Sequence, residues 1–499
     1  MSKEKSGATI YYHDIGDYLS REQKLGIIRK ARSINGVEWT ELHPDEHGDW
    51  INHRNGKFAE FIPLGDKDDK KNAQTVFAPW YCRGLETARD PWCYNFSKSS
   101  LRKNIEKTIS FFNEQRNLFV DRKDKSVTAK DFVKWDPLQI SWSRAFLAEV
   151  TAEKMKAFDE ASLVTAVYRP FCKQNCYFNR QLNNVVSSMD SFFPTYDAEN
   201  LIICVSGVGG TKNFTAIMTD QVPDVQLQFN GQCFPLYWYE KAEGNQLSAF
   251  DNDSGYIRHD GITDWMLKDV RSRFANTRAI TKEHIFYYVY GLLHSPEYRE
   301  TFSADLKKEL PRIPIVESID DFMDFSKAGR ALAELHLHYD DFAAESAASA
   351  NRNSAASYAL VADKRIKYDA SQPGARAPQI FFDGLVTPVD NIPEAALRID
   401  KMRFATKEDK SQIIYNSHIT LKNIPLVAYD YIVNGKSAIE WILERYQVKT
   451  DKDSGLLNDP NDWAREHHCP AYILQLLLSV IDLSVKSVGI VKGLPKAGV

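Results

Sequence analysis

The chain has 499 residues, a length that at ~150 residues per domain divides into about three. It is 43% hydrophobic and 12% aromatic, which fills real cores and excludes a wholly disordered protein. Its 63 Lys and Arg against 67 Asp and Glu leave a net charge of −4, so no bulk basic field draws it onto nucleic acid or membrane, and any nucleic-acid surface must be a local patch. The 7 cysteines include no C-x₂-C pair, which argues for a reducing compartment and against a disulfide framework or zinc ribbon.

The opening residues are charged and contain no apolar leader. Ser20-Arg21-Glu22-Gln23 reads as a helix start, with Ser20 as cap, Gln23 reaching back, and Leu25, Ile27 and Ile28 as the apolar side. A loop-rich region is expected over 35–90. Leu101, Ile105, Ile109 and Phe112 then recur at helical spacing, within a stretch over 98–134 that carries ten Lys/Arg against five Asp/Glu. This reads as a solvated helix face. Residues 201–205 and 214–218 read as strands joined by Gly207-Val208-Gly209-Gly210-Thr211-Lys212, and 234–239 as a further strand. The glycines do not make a phosphate loop, because Thr precedes Lys and a strand follows instead of a helix.

Helices are expected over 284–293, from Ser295-Pro296 onward, and along Phe322, Phe325, Leu332, Leu335 and Tyr339, with Pro311 and Pro314 as breaks. An Ala/Ser-rich connector over 343–360 marks a boundary. Beyond it come β-like segments at 377–382 and 413–421, a helix over 437–446, a turn-rich loop over 451–463, and an apolar run from Tyr472 to Leu483. That run carries Gln475 and Asp482 and falls short of the roughly 20 residues of a membrane span, so it reads as a buried helix in a cytoplasmic protein. The fold class expected is α+β, a mixed multi-module architecture: 1–150 helical and loop-rich, 151–342 a central module, 361–499 a C-terminal part, the last two α/β.

Catalytic and metal signals are absent. There is no G-x-S-x-G elbow and no H-E-x-x-H helix. The acidic turns at 251–255 and 451–455 lack the Gly and Glu of a calcium loop and read as tight turns. Cys172 and Cys176 have the spacing of a ligand pair on a helix, but no second pair completes a site, so they read as buried thiols. His467-His468-Cys469 is equally incomplete, and His336 and His338 point apart on a helix. Asn458-Asp459-Pro460-Asn461 lacks the second proline and stacking ring of an adenine-methyltransferase loop and reads as a turn. No cofactor and no metal are expected.

What remains is a recognition surface. Residues 161–189 contain no acidic side chain but hold Arg169, Lys173, Asn175, Arg180, Asn183 and Asn184 among aromatics. Arg pairs with guanine and Asn with adenine in the major groove, and cations gain from displacing phosphate counterions. A second basic stretch carries Arg258, Lys268, Arg271, Arg273, Arg278 and Lys282, and a third Arg398, Lys401, Arg403, Lys407 and Lys410, each interspersed with acids. The candidate DNA contacts are Arg169, Lys173, Asn175, Arg180, Asn183, Asn184, Arg271, Arg273 and Arg278.

Arg169-Pro170-Phe171, Tyr177-Phe178-Asn179, Phe234-Pro235-Leu236-Tyr237, the run from Ile285 to Arg299, Leu310-Pro311-Arg312-Ile313-Pro314 and the run from Ser454 to Trp463 resemble the C-terminal specificity region of type ISP restriction-modification enzymes. The opening from Ile10 to Leu19 is similar to the stretch that follows the methyltransferase core in that family. Such enzymes carry a nuclease, a helicase-like ATPase motor, an adenine-N6 methyltransferase and a target-recognition domain in one polypeptide. The resemblance implies a DNA target-recognition module without catalytic motifs of its own. Its expected partners are double-stranded DNA and a methyltransferase or helicase-nuclease polypeptide. The competing expectation is a protein-interaction scaffold that docks onto restriction or phage-defence subunits.

Overall fold

A computed structural model describes residues 9–16, 19–68, 74–195, 197–242, 255–275, 277–341 and 378–499. The expected Ala/Ser connector and the acidic turn at 251–254 lie outside the described residues. The chain divides into two units, Met1–Glu60 and Phe61–Val499. In the first, β1 (Ile10–Tyr12) precedes helix α1 (Arg21–Ala31) and pairs antiparallel with β2 (Thr40–Leu42). Ser20 and Gln23 close the expected reciprocal cap on α1.

The first half of the second unit includes β3 (Cys82–Arg83), β4 (Tyr94–Asn95), the long helix α2 (Lys98–Val120) and α3 (Arg144–Thr151). Ser97 caps α2, whose Leu101, Ile105, Ile109 and Phe112 face Phe146 and Val150 of α3 in a core of their own. Six strands follow: β5 (Leu163–Arg169), β6 (Cys172–Tyr177), β7 (Ile202–Val205), β8 (Ala216–Thr219), β9 (Val222–Pro223) and β10 (Gln232–Pro235). With β3 and β4 they form two four-stranded sheets, ordered β9-β5-β6-β4 and β3-β10-β7-β8. The glycine-rich segment at 207–212 is the β7–β8 turn, as its sequence implies. Cys172 and Cys176 sit on strand β6, not a helix, and every cysteine is buried and unbridged.

The strand expected over 234–239 is two. Pro235 ends β10, and the chain passes through Leu236 into a separate ribbon of β11 (Tyr237–Lys241) and β12 (Tyr256–Asp260). Gly261 lies so close to the Pro235 carbonyl that a Cβ would sit 1.9 Å from its oxygen. Helices α4 (Asp264–Arg273), α5 (Lys282–Leu292) and α6 (Ile319–Leu337) come next. Every residue of α5 from Ile285 to Leu292 is buried, and α5 crosses α6 at Gly291 and Gly329 with backbone against backbone.

The C-terminal part has a five-stranded antiparallel sheet of β13 (Gln379–Phe382), β14 (Leu385–Val386), β15 (Arg403–Phe404), β16 (Ile413–Ile414) and β17 (Ile419–Lys422), ordered β14-β13-β17-β16-β15. The segment expected to be continuous over 413–421 folds back on itself, because the Asn416 side chain accepts from the backbone of His418 and Ile419. Two helices close the chain, α7 (Ala438–Arg445) and α8 (Tyr472–Lys492). The loop expected over 451–463 contains a short helix, Pro460–Glu466, capped by Asp459 with Pro460 in its first turn. By length and composition α8 could cross a membrane, yet 61% of its most apolar window is buried inside the fold. It is a core helix, packed against α6 and α7.

Residues from both sides of the connector share one core. Phe171 and Cys172 from β6 and its turn lie in the same apolar cluster as Ile413, Ile442, Tyr446 and Tyr472. The two sides are also stitched by side chains: Asn458 Oδ1 accepts from Phe96 N at 2.9 Å, and its Nδ2 donates to Gln174 Oε1 at 3.0 Å.

Candidate nucleic-acid interface

The acid-free stretch over 161–189 becomes the β5–β6 hairpin and the polar turn behind it. Strand β6 lies inside its sheet, between β5 and β4, and every residue of it except the half-buried Lys173 is buried, so its side chains meet protein on both faces. Arg169 Nη1 donates to Asp224 Oδ1 at 2.6 Å, Nη2 lies 3.6 Å from Asp90, and the guanidinium rests on the Tyr168 ring. Burial pushes the Asp224 carboxyl up to about 7, while Arg169 pulls it down. Lys173 Nζ donates to Asp340 Oδ1 at 2.7 Å. Asn175 Nδ2 donates to the Phe96 carbonyl, and Asn183 Oδ1 accepts from Asn179 N. Arg169, Lys173, Asn175 and Asn183 are thus engaged inside the fold, the first three by partners distant in sequence.

Arg180 and Asn184 point outward. Arg180 is 60% exposed and grips Asp190 with Nε and Nη2, each at 2.8 Å. Asn184 Nδ2 donates to Glu86 Oε1 at 2.8 Å. Glu86 lies 3.5 Å from Arg83 Nη2, which reaches Asn230 Oδ1, and that oxygen also accepts from Gln226 Nε2 at 3.3 Å. The result is a connected surface chain, Asn184–Glu86–Arg83–Asn230–Gln226, made of the side-chain types that read base edges. Arg83 Nε and the nearby Gln232 Oε1 have no hydrogen-bond partner among the described residues. Sequence reading missed Arg83, Gln226 and Asn230, because β3 and the turn before β10 meet only through sheet pairing.

Of the second basic stretch, Arg271 and Arg273 lie in the last turn of α4, while Lys282 pairs with Asp260 and Asp264. Arg271 donates through Nε and Nη2 to the Ile280 carbonyl at 2.9 and 2.7 Å, Arg273 pairs with Asp269 at 2.8 Å, and Arg278 is exposed. Cations at a helix C-terminus also oppose its dipole, so part of their role is structural. In the third stretch Arg398 pairs with Asp459 and Lys410 with Glu440, while Lys401, Arg403 and Lys407 are exposed. Among the described residues no group of His, Cys, Asp and Glu is arranged to hold a metal ion.

A mixed α+β domain with an Arg/Asn/Gln surface chain is what these elements define. The family model for the Type ISP C-terminal specificity domain matches residues 75–476, and the chain belongs to that family. It is also similar to three solved structures. Against a nuclease-deletion mutant of the Type ISP restriction-modification enzyme LlaGI in complex with a DNA substrate mimic, the TM-score is 0.77 at 32% identity, covering 99% of this chain and 40% of that one. The ATP-dependent Type ISP enzyme LlaBIII bound to DNA gives 0.76 at 32% identity, with 98% and 28% covered. The DrdV–DNA complex gives 0.71 at 27%, with 98% and 43% covered. This chain therefore spans less than half the length of those proteins. No curated protein matches it.

Proposed function

We propose that the chain recognises a short asymmetric site in double-stranded DNA on behalf of a cytoplasmic restriction-modification system. A methyltransferase or helicase-nuclease polypeptide would do the chemistry. The observation that carries this reading is the outward chain of Arg83, Glu86, Asn184, Gln226 and Asn230, in a fold similar to three proteins solved with DNA or a DNA substrate mimic. From the residues expected at the sequence level, the proposed contact set retains Arg180, Asn184, Arg271, Arg273 and Arg278. Base edges would be read by Arg, Asn and Gln, while the arginines at and just beyond the end of α4 would add phosphate contacts. Asp190 would have to release Arg180, or stay with it and leave it a positioning contact.

The test is selection of randomised duplex DNA by the purified chain, at about 50 and 200 mM salt. An enriched motif whose binding weakens steeply with salt is expected. Binding without a motif, or none at either salt, overturns target recognition by this chain alone. Absence of DNA binding together with retention of a restriction subunit would instead favour the scaffold. Within the motif, Asn184→Ala and Arg83→Ala should each cost ~1–3 kcal/mol at one base position if they touch base edges.

A further inference from the structure

The β11–β12 ribbon belongs to none of the three larger sheets. Its five residue pairs run from Tyr237↔Asp260 to Lys241↔Tyr256, and neither strand contains a fully buried residue. An isolated two-stranded ribbon is marginal in water, and this one is braced by a stack of rings. Trp80 lies on Trp238 with centroids 4.8 Å apart, and Trp238 lies on its cross-strand neighbour His259 at 4.1 Å. Strand alternation puts Trp238, Glu240 and His259 on one face and Tyr237, Tyr239 and Arg258 on the other. The first face anchors the ribbon, which leaves the second to be explained.

On that second face, Arg258 sits diagonally across from Tyr237 and lays its guanidinium over the ring, 4.3 Å from the centroid. Arg258 is exposed, and among the described residues no carboxylate pairs with it. It differs in this from Arg180, Arg273 and Arg398, each of which spends its charge on an aspartate. A guanidinium held over an aromatic ring loses rotamer freedom, while the N–H groups not turned to the ring stay available for a planar two-point acceptor. Guanine offers that acceptor pair, O6 and N7, in the major groove, and the groove is wide enough to admit a two-stranded ribbon.

We infer that the β11–β12 ribbon enters the major groove and that Arg258 reads a guanine there, with Tyr237 as its positioning residue. This rests on the DNA-recognition reading above and names a contact which that reading does not contain. The alternative role for Arg258 is a phosphate contact, and the two separate by geometry: lysine can replace arginine on a phosphate but not on the paired guanine acceptors.

The test repeats the duplex selection with the full chain as wild type, Arg258→Ala, Arg258→Lys, Tyr237→Phe and Tyr237→Ala, each checked for an unchanged thermal unfolding midpoint. The expected result is a wild-type motif in which both Arg258 variants lose preference at the same single G·C position. Affinity for the best site should drop roughly 5- to 150-fold, with the other positions unchanged. Tyr237→Phe keeps the ring and should select as wild type, whereas Tyr237→Ala should blur that one position. An Arg258→Ala variant with the wild-type motif and affinity overturns the inference. So does an Arg258→Lys variant that keeps the motif while Arg258→Ala weakens every sequence alike, which marks a phosphate contact. A wild-type chain that selects no motif removes the recognition reading itself and the inference with it. A motif from the wild type with no change in the variants removes the inference alone.

Discussion

At the scale of single residues, the decisive distinction is between polar groups engaged inside the fold and polar groups left for a ligand. Arg169 is the clearest inward case. Breaking a buried pair leaves an uncompensated charge, so Arg169→Ala should destabilise the chain by about 3–5 kcal/mol in urea unfolding. The motif selected from random DNA should not change; a changed motif with intact stability would return Arg169 to the interface. His336 is a second inward group. Met218 N donates to the Tyr290 hydroxyl at 2.9 Å, and that hydroxyl lies 2.6 Å from His336 Nδ1, while Nε2 lies 3.2 Å from Ser487 Oγ. A neutral ring completes this network, accepting at Nδ1 and donating at Nε2. Burial, with the Arg299 charge adding to it, lowers the His336 pKa to about 3. The unfolded chain takes up its proton near pH 6.5 while the folded chain does not, so stability is full above about 6.5 and falls as the pH drops toward 3. Each such histidine contributes a slope of up to about 1.4 kcal/mol per pH unit in that window. His294, also lowered by burial, acts in the same direction. Urea titrations between pH 7.5 and 5 should give a shallower pH slope for His336→Gln than for wild type, and equal slopes would refute the assignment.

At the scale of elements, hydrophobic periodicity carried a great deal. The spacing of Leu101, Ile105, Ile109 and Phe112, the Ser20 cap and the Ser295-Pro296 start all reappear as read, because these are local preferences of a chain that buries one face. Periodicity could not show that α5 and α6 touch through glycine. A Cβ on Gly329 would sit 1.9 Å from the Tyr287 carbonyl oxygen, and one on Gly291 2.3 Å from that of Phe325. Gly329→Ala should therefore force the helices apart, at a cost of about 1–3 kcal/mol or more measured as a lowered unfolding midpoint. An unchanged midpoint would mean that the crossing yields easily. The apolar run at 234–239 failed as a single strand for a related reason. A proline cannot donate to the ladder, so Pro235 ends one sheet and the next residues are free to start another. Composition alone does not say where such a handover falls.

For the larger unit as a whole, one residue links the ends. Asn434 accepts at its carbonyl from Lys212 Nζ, donates its backbone N–H to the Thr215 hydroxyl oxygen, and donates through Nδ2 to the Gln226 carbonyl. It joins the C-terminal part to the β7–β8 turn and to the loop that carries Gln226 and Asn230. Asn434→Ala should cost about 1–3 kcal/mol, since it strands buried groups, and should also weaken DNA binding by loosening that loop. Loss of stability with unchanged affinity would confine its role to folding. The common core predicts that tryptophan fluorescence and circular dichroism report one coincident urea transition for residues 61–499, and separated transitions would count against it.

By itself the sequence determined the α+β class, the caps, the buried α8 helix, the reading of 207–212 as a turn, and the family, through motifs spread along most of the chain. These rest on local backbone preference, on burial of one face, and on residue order, all of which are written along the chain. Tertiary structure alone decided which polar side chains are free. The absence of acids over 161–189 suggested an open basic surface, but Asp224 and Asp340 arrive there from other elements and close on Arg169 and Lys173. Conversely, Arg83, Asn184 and Asn230 share a surface only because β3 pairs with β10 and the β6 turn folds back beside it. Charge acts through space, and neighbours in space are set by sheet pairing and core packing, not by neighbours in sequence.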